Sequence, residues 1–205
     1  MTDWSSYELS DFLMFSAATY WRLVERLNAQ AWPWQLLSMA AGLLLVWMAA
    51  TRRALGVPVI AGVLALAWLH VGWTFFWQAF APINWGARYL AWAFAVQGVL
   101  LLALLVVSLP GVTRRSAVPR EPSARMRGAG LLVALAGVVA YPVLTALIGD
   151  SLARAEVAGW MPEPTALATM GLLIATRATA GGWMLVIPAL SLVIGWTMLR
   201  LLQLQ

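Results

Sequence analysis

One histidine, eight acids and thirteen basic residues, every one of the latter an arginine, are the ionisable groups most able to do chemistry in this 205-residue chain. His70 is the only imidazole. It opens the series His70, Trp73, Thr74, Trp77 and Gln78, whose i, i+3, i+4, i+7, i+8 spacing puts all five on one face of a regular helix. With Asn84 and Arg88 just beyond, that face is a candidate ligand- or lipid-binding surface. The structural alternative, a neutral His70 hydrogen-bonded to a backbone carbonyl or a neighbouring helix, is the favoured reading. An ionisable group inside a membrane nevertheless starts as a functional candidate. Arg88 could hold an anionic headgroup, cap carbonyls, or extend to the interface.

The other chemistry is defined by what is missing. One His cannot supply a bis-His haem or a multi-His metal site, and a chain without Cys has no disulfide, thiolate site or covalent haem. Metal and cofactor are therefore not expected. Asp3, Glu8, Asp11, Glu25, Glu121, Asp150, Glu156 and Glu163 all read as loop or interfacial residues. Proton and cation pathways place a carboxylate in the bundle interior. Such a pathway is disfavoured here unless a loop acid folds back into a vestibule. No Ser-His-Asp set, phosphate-binding loop or His/acid cluster can be assembled, so no catalytic residue is assigned. An intramembrane enzyme using His70 with Asp150 or Glu163 is the weakest reading.

The elements that must position these residues are membrane helices. The chain is 62% hydrophobic and 10% charged, with mean hydropathy +0.82, a composition that no soluble surface accommodates. Long apolar runs at 36–50, 59–77, 91–107, 128–148 and 184–199 contain no acid. Crossing a hydrocarbon core of roughly 30 Å takes about 20 helical residues. The expectation is an all-α polytopic transmembrane bundle, one integral membrane domain over 1–205. About six spans are expected, near 33–51, 58–77, 85–109, 129–148, 164–176 and 183–202, the fifth too short for a comfortable crossing. Pro142 and Pro188 interrupt two of them and free carbonyls near Val138 and Met184. Residues 1–32 form an interfacial segment, with a capping-box spacing at Ser5 and Glu8 and a second cap at Ser16. The helix after Ser16 puts Tyr20, Val24, Leu27 and Ala31 on one face and Arg22, Glu25 and Arg26 on the other. It suits either the lipid–water boundary or the ends of the spans.

Orientation comes from arginine counting. Arg52, Arg53, the five arginines of the basic linker 111–128 and Arg177 fall on one side; Arg22, Arg26, Arg88, Arg154 and Arg200 fall on the other. The richer side is expected to be cytoplasmic and both termini periplasmic, in a bacterial inner membrane. Topogenic loops account for the net +5 charge better than nucleic acid, which is not an expected partner.

Several short motifs resemble a known family. They are Tyr7-Glu8-Leu9-Ser10-Asp11-Phe12-Leu13, the stretch 22–33 with Asn28 and Ala31-Trp32-Pro33, Ile83-Asn84-Trp85, Tyr141-Pro142, and Pro162-Glu163-Pro164-Thr165 followed by Gly171-Leu172-Leu173. Together they resemble a bacterial multi-pass membrane family, domain of unknown function 6064. The resemblance implies about six spans and carries over no catalytic residue. The functional expectation is a non-enzymatic accessory or interaction module, with membrane lipids and other membrane-protein subunits as its partners. A permease for a small solute or lipid-like molecule is the alternative, suggested by the kinked spans, the short fifth one and a faint repeat between Pro33 and Pro164.

Overall fold

The computed structural model describes residues 15–53, 55–112, 122–178 and 180–202. The Ser5–Glu8 capping box, Asp3, Asp11, Glu121 and most of the basic linker lie outside them. Helix α1 is Ala17–Ala31 and α2 is Trp34–Thr51. Helix α3 is Gly56–Phe80 and α4 is Ala87–Ser108. Helix α5 is Ala124–Ile148, α6 is Pro162–Thr176 and α7 is Val186–Leu202. Five of these stretches are long and apolar enough to cross a membrane: α2, α3, α4, α5, and α7 with the turn before it. The fold is an all-α bundle, and α6, the expected short span, has only 15 residues.

That short helix is the hub. Eleven of its residues are buried, on all sides, as expected of a helix surrounded by protein. It approaches α5 backbone to backbone. A Cβ at Gly137 would lie 2.8 Å from the Pro164 carbonyl oxygen, and one at Gly130 would lie 2.7 Å from that of Gly171. Small residues permit such contact where bilayer lipids offer no hydrophobic drive for helix association. The pairing also sets depth. Pro164 lies level with Gly137, eleven residues short of Ile148, so α6 starts roughly 16 Å along α5 from its end. The loop 149–161 links the end of α5 to this deeper start.

Two helices contain π turns. In α5 the turn Ala136–Ala140 immediately precedes Tyr141-Pro142. Proline lacks the N–H that would reach the Val138 carbonyl, and widening the preceding turn absorbs the mismatch. In α3 the π stretch is long, Gly72–Phe80, and at its entry the Thr74 hydroxyl donates to the His70 carbonyl at 2.8 Å. The carbonyl of Met184, the position that Pro188 leaves without its helical donor, accepts from Gln97 Nε2 at 3.1 Å.

Helix α1 lies over one end of the bundle. Ser16 caps it, its hydroxyl accepting from Thr19 N at 3.3 Å, and Tyr20, Val24, Asn28 and Ala31 form the buried face. That face packs over the ends of the spans, one of the two settings expected of it. Leu27, expected on the buried face, stands at its edge, and Asn28 is buried instead.

Candidate functional site

The His70–Trp77 face does not survive folding as one surface. From Gly72 onward the helix is π, with more than four residues per turn, so positions three apart swing away from each other. His70, Thr74 and Gln78 remain together on the side of α1 and Trp160. Trp73 and Trp77 turn toward α4 and stack with ring centroids 6.2 Å apart, and Trp77 meets Trp92 of α4 edge-on. Arg88 lies over the Trp77 ring at 5.7 Å. Asn84 stays in its turn, its Oδ1 accepting from Gly86 N at 2.9 Å ahead of α4.

His70 serves the buried loop. Its Nδ1 is 2.8 Å from the Gly159 carbonyl and donates to it, and its ring packs edge-on against Trp160 at 4.5 Å. Loop backbone has no helical partners of its own, and side chains from α1, α2, α3, α5 and α6 supply them here. Asn28 Nδ2 donates to the carbonyls of Ala153 (2.7 Å) and Ala155 (2.8 Å), while its Oδ1 accepts from Gln35 Nε2 at 2.6 Å. Ser38 donates to the Ala158 carbonyl. Thr145 Oγ1 accepts from Glu156 N at 2.9 Å, and Thr165 Oγ1 from Gly159 N at 2.7 Å. Trp68 Nε1 donates to Thr169 Oγ1 at 2.8 Å, tying α3 to α6. Arg154 meets Glu25 of α1 at 2.6 Å.

Two acids that read as loop or interfacial residues are inside the protein. Glu156 is 0% exposed and Glu163 is 3% exposed. The exception allowed from sequence is a loop acid folded back into a vestibule; Glu156 is a loop acid that folds back, but into the closed interior. Glu156 belongs to the loop, outside the spanning helices, and its Oε1 accepts from Tyr20 OH at 3.3 Å. Burial holds its carboxyl well above the ordinary carboxylate range; nearby Glu163 adds to this, and the hydrogen bonds of Tyr20 and Tyr141 oppose it. Glu163 begins α6 and presses on α7 at Gly195, where a Cβ would overlap its carboxyl. Oε2 of each acid is buried without a hydrogen-bond partner. Asp150, by contrast, is exposed.

The α1 end also holds an open cavity of about 560 Å³ between α1 and the π stretch of α3. Arg22 and Arg26, one turn apart on α1, line it beside Thr19 and Gln30. Thr74, Gln78 and Trp160 face them, and Leu23, Leu27, Ala79, Pro82 and Ile83 supply apolar wall. Among the described residues neither arginine has an ion-pair partner.

Sequence reasoning missed Asn28 and the two glutamates as interior groups; it placed Tyr20 on the packing face of α1 but not its hydroxyl on Glu156. The signals were present: an acid between two prolines in Pro162-Glu163-Pro164, and a glycine at 195 in an otherwise bulky helix. What fold and site define is a helical bundle with five helices long and apolar enough to cross a membrane, its polar interior gathered around a loop that its own helices hold by hydrogen bonds. The chain belongs to the Family of unknown function (DUF6064), whose family model matches residues 17–205. No curated protein and no solved structure matches it.

Proposed function

We propose that this is a non-enzymatic multi-pass module of a bacterial inner membrane that holds an anionic, lipid-like molecule at its α1 end. The observation that carries the reading is the pair Arg22 and Arg26, unpartnered among the described residues, at the rim of a cavity with apolar walls. Guanidinium groups bind phosphate or carboxylate by paired hydrogen bonds, and the apolar wall suits an acyl chain. The exposed Trp73–Trp77–Trp92 cluster suits either the aromatic belt at the membrane surface or a subunit contact, which keeps an accessory role as the second reading.

Purification in mild detergent followed by native mass spectrometry tests the reading. The protein is expected to carry an anionic amphiphile at near-stoichiometric level, and the double variant Arg22→Gln/Arg26→Gln to lose at least tenfold of it. Equal retention by the variant would refute the site; a protein subunit in place of the amphiphile would favour the accessory role.

The α1 end is proposed to be periplasmic, because most arginines belong to the opposite side. The chain has no cysteine, so single reporters are clean. An impermeant thiol reagent added to intact spheroplasts is expected to label Leu152→Cys and to spare Val112→Cys. The reverse pattern would invert the topology.

A further inference from the structure

Two carboxyl groups lie inside this protein, and no cation among the described residues neutralises them. The titratable groups that face Glu156 and Glu163 are one another, Tyr20 from α1 and Tyr141 from α5. The arginine two residues from Glu156, Arg154, is turned outward onto Glu25 at 2.6 Å, with both side chains about a third exposed. Around Glu163 the other surfaces are largely apolar, with Phe75, Phe76 and Phe80 of α3 opposite it across a void of about 20 Å³, room for roughly one water. Gly195 leaves the space that the Glu163 carboxyl occupies.

An ionised carboxylate buried without a partner costs several kcal/mol, and two in one interior also repel. A proton relieves both terms. It removes the charge and gives a buried oxygen that lacks a partner a hydrogen to share. We infer that Glu156 and Glu163 form a proton-binding pair sealed beneath α1, which takes up at least one proton from water on folding and keeps it at neutral pH. The proton adds to a carboxylate oxygen of the pair, and no other bond is made or broken. Tyr20, whose hydroxyl meets Glu156 from α1, is the link between the pair and that covering helix. A metal ion is the competing occupant. Besides Glu163 itself, the side chains lining the void offer it one oxygen, the Ser191 hydroxyl, whereas divalent cations require several. The inference is independent of the amphiphile reading, which rests on the adjacent flank of α1 that carries Arg22 and Arg26.

Infrared spectroscopy of the whole protein in lipid nanodiscs tests it. At neutral pH the spectrum is expected to contain the carbonyl stretch of a protonated carboxylic acid, and Glu156→Gln or Glu163→Gln to remove it. Absence of the band, or its persistence in both variants, would overturn the inference. The wild-type protein supplies a second measurement should a variant fail to fold. A folded state that holds more protons than the unfolded chain loses stability as pH rises, starting where an ordinary carboxylate ionises. Thermal stability is therefore expected to fall as pH is raised through neutrality, without dependence on added sodium or calcium. A stability that rises with pH, or that depends on either ion, would contradict the proton and favour a metal site.

Discussion

Gly171→Ala is expected to be the most damaging single-methyl change in this protein. The added Cβ would lie 2.6 Å from the Cα of Ala134 and 2.6 Å from the Gly130 carbonyl oxygen, both backbone atoms of α5 that no rotamer change can move. The helices must separate along their closest contact, at a cost of about 3 kcal/mol or more, the upper range for overpacking. Gly62→Ala is the matched control. Its Cβ would meet only the Leu105 side chain at 3.6 Å, an ordinary contact. Thermal unfolding in detergent is expected to show Gly171→Ala strongly destabilised and Gly62→Ala within about 0.5 kcal/mol of wild type. Equal stability of the two would mean that the α5–α6 contact does not carry the fold.

Asn28→Ala is expected to loosen the cover of the acid pair. It leaves the Ala153 and Ala155 carbonyls and Gln35 Nε2 without the partner that bridges α1 to the loop. Orphaned buried groups cost about 1–3 kcal/mol, and the loss falls mainly on α1 and residues 149–161. Hydrogen exchange read by mass spectrometry is expected to accelerate in those segments while α3 and α4 stay protected. Asn28→Asp, which keeps an acceptor but cannot donate, is expected to behave like Ala. Unchanged exchange in both variants would show that α1 is held by apolar packing alone.

Much of the architecture was legible because burial in lipid writes itself into local sequence. The runs at 59–77 and 91–107 lie inside α3 and α4, and Pro33 directly precedes α2. The interior chemistry was less legible because it depends on partners far apart in the chain. Asn28 finds Ala155 across 127 positions. Glu156 does stand in a loop, as its surroundings suggest, but whether a loop is solvated is decided by what folds over it. The His70–Trp77 face failed for a different reason: a spacing argument assumes one helical pitch, and the π stretch changes it. Loss of one donor at Pro142 or Pro188 can be read from sequence, whereas the turn that absorbs it and the Gln97 amide that replaces it cannot.

The shortness of α6 has a consequence for how the protein is made. Residues 149–176 contain three acids (Asp150, Glu156 and Glu163), an arginine, and a stretch of backbone with no helical partners, so this segment is a poor candidate for independent partitioning into lipid. Its stable environment is a cleft that the other helices must already provide. Assembly is therefore expected to be ordered, with α5 in place before its neighbour docks and α7 closing the cleft last. A ribosome paused between them would hold a half-built protein with its hub still waiting at the membrane surface.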